Sequence, residues 1–305
     1  MKKNKVLVIL GQTTTGKSSL AVKLAKKFNG EIISADSRQV YKKLNIGTGK
    51  IIKRERGGIP HHLLDVISPQ KRFSVVQYKK LTEKKIKDVL ERNKLPIICG
   101  GAGFYIQAIV DNIIYPQVPP NQKLREKFKE KSGEELLKIL KKLDLKRFKT
   151  IDQKNKRRIV RAIEIVKSLG KTPDLVINQL NYEFLQIGLK RDNQKLKEKI
   201  KERLLKRLGV GMIAEAKKLH HPPIGKKLSW KRMEELGLEY KYLALYLQNK
   251  LNKKEMIEQL NKAIWHYAKR QKTWFKKDKR INWFNPDKSE EKQRINRLIN
   301  NFLLN

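Results

Sequence analysis

Gly11-Gln12-Thr13-Thr14-Thr15-Gly16-Lys17-Ser18 fits the pattern GxxxxGK[ST], a set of residue types and spacings that holds phosphate. In such a loop backbone N–H groups converge on phosphate oxygens at the positive end of a helix. The lysine adds a point charge, and a hydroxyl at Ser18 is able to hold Mg²⁺. Asp36, in Asp36-Ser37-Arg38-Gln39-Val40-Tyr41, directly follows an apolar run. It therefore falls beyond the carboxyl end of a strand, where ligands lie in open α/β sheets. An acid there serves as a general base, as an outer ligand of Mg²⁺, or as a cap on the next turn. Gly100-Gly101-Ala102-Gly103-Phe104-Tyr105 follows another apolar run, and its three glycines permit close approach of a ligand or of another element. His61-His62 has no carboxylate or cysteine at ligand spacing and reads as a structural or solvent-facing pair, and His220-His221, ahead of Pro222-Pro223, reads as a loop.

The elements that must position these residues are visible as periodicity. Strand-like runs at Val6–Leu10, Glu31–Ala35, Leu63–Ile67 and Pro96–Cys99 alternate with helix-like stretches at Ser18–Phe28 and Val75–Arg92. This rhythm predicts an α/β fold: a P-loop NTPase-like parallel sheet core, with the phosphate loop joining the first strand to the first helix. Beyond Asp111 the texture changes, because Pro116, Pro119 and Pro120 break the chain and residues 122–169 are almost wholly charged amphipathic helix. Phe184–Leu189 reads as a strand returning to the sheet, followed by long basic helices. The expected organisation is a first part of the core over 1–115, a helical insertion over 116–182, core completion and basic helices over 183–288, and a peripheral C-terminal helix over 289–305.

The 305 residues carry 72 Lys+Arg against 30 Asp+Glu, a formal charge of +42, far beyond what solubility requires and suited to a polyanionic partner. Part of the excess is compositional, as in the lysine-rich helix Lys195–Lys206. Composition alone does not account for Arg157-Arg158-Ile159-Val160-Arg161, which groups phosphate-binding guanidinium forks within about one helical turn. In Asn261–Lys277, the residues Ile264, Ala268, Gln271 and Phe275 share one stripe, so this helix faces the core there, while its interleaved aromatics and cations suit RNA on another face. Cys99 is the only cysteine, which leaves neither a disulfide nor a cysteine-based zinc site and fits a reducing cytoplasm. No apolar run approaches membrane-spanning length, and Val6–Leu10 is too short for a signal-peptide core, so the expectation is a soluble, cytoplasmic protein.

Together these stretches resemble the tRNA dimethylallyltransferases, the tRNA isopentenyltransferases that prenylate the adenosine immediately 3′ of the anticodon, position 37. The family's GPTASGK[ST] is similar to Gly11–Ser18, its DSxQxY to Asp36–Tyr41, its IGTxK to Ile46–Lys50, and its HHLxD to His61–Asp65. Its RRxxRAxE is similar to Arg157–Glu164 and its KRQxTW to Lys269–Trp274. The resemblance implies that the loop residues Gly11, Gln12, Thr13, Thr14, Thr15, Gly16, Lys17 and Ser18 bind the diphosphate of dimethylallyl diphosphate, with Mg²⁺ on Ser18. Asp36 and Lys17 become catalytic residues, the acid taking a proton from the adenine N6 amine. Contact with a tRNA anticodon stem-loop is implied for Asp36, Ser37, Arg38, Gln39, Ala102, Arg125, Arg157, Arg158, Ile159, Val160, Arg161, Tyr240, Lys241, Lys269, Arg270, Gln271 and Trp274. The tRNAs are those reading codons that start with U, and the enzyme is expected to act as a monomer. The chain departs from the family pattern at Ala102, where a threonine is usual, at Gln12 for proline, at Asn155 for an acid, and at Glu239-Tyr240 for Gly-Tyr. Two alternatives remain from the residues alone: a P-loop small-molecule or nucleotide kinase, and a catalytically weakened tRNA-binding homologue, which Ala102 favours.

Overall fold

The computed structural model describes residues 4–173, 176–177 and 182–304. The chain divides into two compact units, residues 1–110 with 180–305, and residues 111–179. In chain order the first unit begins with β1 (Asn4–Gly11), α1 (Lys17–Lys27), β2 (Gly30–Ala35), α2 (Lys53–Arg56), β3 (His61–His62), α3 (Val75–Glu91), β4 (Leu95–Gly100) and α4 (Gly103–Val110). The second unit contains β5 (Ile113–Ile114), α5 (Gln122–Lys127), α6 (Gly133–Leu143), α7 (Leu145–Thr150), α8 (Lys156–Leu169) and β6 (Val176–Ile177). The first unit resumes with β7 (Tyr182–Leu189), α9 (Asn193–Gly209), α10 (Met212–His220), α11 (Trp230–Leu236) and α12 (Leu238–Leu247). It closes with α13 (Lys253–Phe275), β8 (Ile281–Phe284) and α14 (Ser289–Leu304).

Six strands of the first unit form one sheet in the order β3-β2-β4-β1-β7-β8, and every pairing is parallel. The central strand β1 shows why the apolar run is continuous. Val6, Val8 and Leu10 pack against Tyr78, Ile86, Ile106 and Phe275 on one face. Leu7 and Ile9 pack against Ala21, Leu24, Ile295 and Ile299 on the other, so both faces are covered, as a parallel sheet requires. The register places Gly11, Ala35, Gly100, Leu189 and Phe284 along one edge, the carboxyl edge on which the site is built. Helices α9 to α13 bury Leu196, Ile200, Leu204, Leu260 and Ala268 in a further cluster with Val40, Tyr41 and Leu44 from the segment after β2.

The parallel core follows the expected βα rhythm, with two differences. The strand expected over Leu63–Ile67 does not form; β3 is only His61–His62, and Leu63 and Asp65 adopt φ of +61° and +56°, which takes the chain out of extended geometry. Asp65 instead receives the ammonium of Lys50 at 2.6 Å, and a single bridge joins Ile67 to Tyr41. The sheet also gains β8, which extends it beyond β7. His220 is the last residue of α10 rather than part of a loop; its Nδ1 meets the Leu228 carbonyl at 2.9 Å and its ring stacks on Trp230 with centroids 3.5 Å apart.

In the second unit, residues 111–179, helices α6 and α8 close around Leu136, Leu140, Ile159, Ile163 and Val166. Glu164 is wholly buried there and is held by Arg125 at 2.6 and 2.9 Å, by Arg161 at 3.1 Å and by the amide of Asn121 at 3.0 Å.

Candidate active site

The phosphate loop leaves β1 at Gly11 and enters α1 through Gly16, whose φ of +87° lies in the left-handed region that an L side chain resists. Gly16 is thus the residue that lets the loop curl back over the first turn of α1. Thr15 Oγ1 donates to the Gln12 carbonyl at 2.8 Å, and Lys17 Nζ reaches the same carbonyl, which closes the loop on itself. The Lys17 ammonium is brought down to about 8 chiefly by burial, with Arg203 pushing the same way and Asp36 opposing.

Two distant helices fix the loop from outside. On α13, Gln271 accepts from the Thr13 amide at 2.8 Å and donates to the Gly101 carbonyl at 2.8 Å, so one buried side chain ties the phosphate loop to the turn after β4. Gln12 Nε2 donates to the Ala268 carbonyl of the same helix at 3.1 Å. That close packing explains the glycines after β4: a Cβ on Gly101 would lie 2.3 Å from the Gln271 amide nitrogen, and one on Gly103 would lie 2.3 Å from the Trp274 ring. Their role is close approach of another element. On α9, Arg203 Nη1 reaches Thr13 Oγ1 at 3.3 Å, and burial lowers its guanidinium to about 10 with the neighbouring Arg207 adding to the effect. Arg207 is itself paired with Glu239 at 3.0 Å and bonds the Gly47 carbonyl at 3.2 Å. Arg191, just after β7, donates to the Thr14 carbonyl at 2.6 Å and pairs with Asp287.

Asp36 lies in the turn beyond β2, and its Oδ1 accepts from the amides of Arg38 at 2.8 Å and Gln39 at 3.2 Å. The carboxylate therefore caps its own turn, while Oδ2 has no hydrogen-bond partner among the described residues. Asp36 is near enough to Lys17 and to the hydroxyl of Tyr267 to act on both charges; burial pushes the Tyr267 phenol well up, and Asp36 adds to it. Ala102 donates its amide to the Ala35 carbonyl at 3.1 Å, which sets it beside Asp36. Among the described residues no group of three or more His, Cys, Asp or Glu side chains is placed to hold a metal. The donor set fits a Mg²⁺ that takes most of its ligands from a substrate: the exposed Ser18 hydroxyl lacks a protein partner among the described residues.

The expected contact residues divide by surroundings. Ser37, Arg38 and Gln39 surround Asp36; Arg38 Nε bonds the Leu236 carbonyl, and Gln39 Nε2 lies 3.3 Å from the Gly49 carbonyl. Lys241, Lys269 and Arg270 are exposed, and Trp274 is half-buried. Tyr240 is buried, and its hydroxyl donates to Glu215 at 2.7 Å, where Glu215 also accepts from the amides of Asn45, Ile46 and Gly47. Through Glu215 its side chain is tied to the loop of residues 45–47. Gln271 is likewise buried on the phosphate loop. In the second unit, Arg157 and Arg158 are exposed and Val160 is half-buried, whereas Ile159 is fully buried in the core and Arg125 and Arg161 are engaged by Glu164. His61 Nδ1 meets the Ile59 carbonyl at 2.8 Å and His62 Nε2 meets Glu31 at 2.7 Å. Sequence reasoning missed Arg203 and Arg207; their one signal was two arginines four apart on one face of a lysine-rich helix.

A phosphate loop on a parallel sheet, one acid at the end of the next strand, and arginines converging from a distant helix define a phosphate-loop α/β enzyme core. Residues 39–278 match the family model described as IPP transferase, and the chain belongs to that family of transferases. It is 41% identical over 290 residues to tRNA dimethylallyltransferase 2 of Treponema denticola, covering 92% of this chain and 96% of the relative. It is 39% identical over 300 residues to the tRNA dimethylallyltransferase of Anoxybacillus flavithermus, covering 97% and 95%. The fold is similar to the crystal structure of the tRNA isopentenylpyrophosphate transferase of Bacillus halodurans, with a TM-score of 0.72, 32% identity, and coverage of 98% and 96%. It is also similar to a eukaryotic dimethylallyltransferase captured acting on tRNA, with a TM-score of 0.84, 27% identity, and coverage of 98% and 79%.

Proposed function

We propose that this chain transfers the dimethylallyl group of dimethylallyl diphosphate to N6 of the adenosine immediately 3′ of the anticodon, position 37, in tRNAs reading codons that start with U. Two relatives that match over nearly their whole lengths are named tRNA dimethylallyltransferases, which supports transfer of a dimethylallyl group to tRNA. The observation that carries the residue assignment is Asp36, oriented through Oδ1 by two amides while Oδ2 is left open beside Lys17. The N6 lone pair forms a bond to the allylic carbon as the bond from that carbon to the diphosphate oxygen breaks, and the N6 proton passes to Asp36 Oδ2. Lys17 and the amides of residues 11–18 hold the departing diphosphate, and Arg203 adds positive charge at Thr13. Bound Mg²⁺, held by Ser18, supplies further neutralisation of the diphosphate. The exposed arginines Arg157 and Arg158, with Lys241, Lys269 and Arg270, take RNA phosphates. No helix among the described residues is long and apolar enough to cross a membrane, and we place the enzyme in the cytoplasm, acting as a monomer.

The test is transfer of radiolabel from dimethylallyl diphosphate to tRNA bearing an A-A-A run beside the anticodon, with Asp36→Ala and Lys17→Ala in parallel. Neither variant should transfer label, and Lys17→Ala should bind tRNA like the parent. Transfer at the parental rate by Asp36→Ala would remove the acid from the mechanism, and label on ATP in place of tRNA would make the chain a nucleotide prenylating enzyme.

A further inference from the structure

The rim of this site carries an aromatic surface that the transfer reaction itself does not employ. Phe104 is the second residue of α4, two after Ala102, and is 47% exposed, one of the large apolar side chains open to water near the carboxyl edge of the sheet. Its ring meets Trp274 edge to face, with centroids 6.3 Å apart and planes at 81°. Both rings are fixed to the site by backbone contacts. The Trp274 ring lies directly on Gly103, so close that a Cβ there would be 2.3 Å from it. Trp274 is also about one turn beyond Gln271, which bonds Thr13 and Gly101, and the Ala102 amide bonds Ala35, the residue before Asp36. Exposed cations flank the pair on the same helix end: Lys269, Arg270, Lys276 and Lys277. An aromatic face beside a cationic helix end on a chain of charge +42 fits a polyanion that presents flat rings, which is single-stranded nucleic acid.

We infer that Phe104 and Trp274 form a stacking platform for a nucleobase flanking the target adenosine, keeping the strand open while the target base turns toward Asp36. This rests on the proposed prenyl transfer to tRNA. Turning one base out of a stacked loop uncovers the face of its neighbour, and an aromatic ring at the pocket rim covers that face again. The platform uses no hydrogen-bond code, so it tolerates any base at the flanking position.

The experiment uses an anticodon stem-loop RNA carrying 2-aminopurine at one or the other nucleotide flanking the target adenosine, titrated with the full chain in the absence of donor. Stacking on the platform should quench the emission at one of the two positions. Phe104→Ala and Phe104→Leu, the second of which keeps the packing volume but removes the π face, should both abolish the quench. They should also raise KM for the RNA roughly tenfold or more, the scale of losing one stacked aromatic, with KM for dimethylallyl diphosphate unmoved. Phe104→Tyr should restore both readouts. Emission unquenched at both positions in the parent, or a full quench retained in Phe104→Leu, overturns the inference. Because the quench needs no chemistry, it is read even if the parent transfers no label, so the two proposals fail separately.

Discussion

Gln271 lies in a motif that the family resemblance assigns to RNA, while the structure gives its side chain to the phosphate loop. Gln271→Leu keeps much of the volume and removes both hydrogen bonds. The Thr13 amide and the Gly101 carbonyl then lose partners held at 2.8 Å, the first in a part-buried and the second in a buried setting. Leaving one buried polar group unsatisfied costs about 1–3 kcal/mol. At the low end of that range the two together come to about 2 kcal/mol, or roughly thirtyfold in an equilibrium constant. Gln271 already takes the Thr13 N–H, so the cost falls on the shape of the loop whose remaining amides face phosphate, and it should appear in donor binding. KM for dimethylallyl diphosphate should rise roughly ten- to thirtyfold, and calorimetric binding of the donor should weaken by the same factor, with tRNA affinity within about twofold of the parent. The opposite pattern, tRNA affinity reduced tenfold with donor binding intact, would refute the reasoning and return Gln271 to the RNA.

Lys17, lowered to about 8, must be protonated to hold diphosphate, so kcat/KM for the donor should fall as pH rises through about 8; a profile flat to pH 10 would contradict this. Burial works to raise the carboxyl of Glu31, but hydrogen bonds from Arg92, His62 and Lys94 override it and hold the group at about 2, against 4.5 for a free side chain. A depressed carboxyl contributes stability above its unfolded value and loses it as pH falls, so about 3 kcal/mol should disappear between roughly pH 4.5 and 2. Glu31→Gln should lower the denaturant midpoint at pH 7 and flatten that acid limb. Glu164→Gln removes the buried carboxylate that pairs with both Arg125 and Arg161 and should destabilise the helical unit of residues 111–179 by about 3–5 kcal/mol in chemical denaturation followed by a probe within that unit.

The core was legible because β1 and α1 carry two clean periods separated by a phosphate loop, and a fully covered parallel strand must be apolar throughout. Leu63–Ile67 was misread for a physical reason: its apolar residues serve a turn that two positive φ values and the Lys50–Asp65 pair hold together, and composition does not report φ. β8 escaped notice because Ile281–Phe284 is only four residues long and directly follows the charged stretch Lys276–Arg280. At the site, Lys17 and Asp36 stood out because local spacing fixes their positions. The spacing also placed Gln271 on a buried stripe but could not name Thr13, 258 positions away, as its partner. Arg203 was hidden for the same reason, since only the packing of α9 brings it to the loop.

The central claim is tested most directly by incubating the chain with dimethylallyl diphosphate, Mg²⁺ and tRNA, digesting the tRNA to nucleosides, and locating the product by mass spectrometry. One new nucleoside is predicted, an adenosine bearing a dimethylallyl group on N6, arising from the position immediately 3′ of the anticodon. Unmodified tRNA recovered alongside intact RNA binding, or the prenyl group on any other atom or position, would contradict the account.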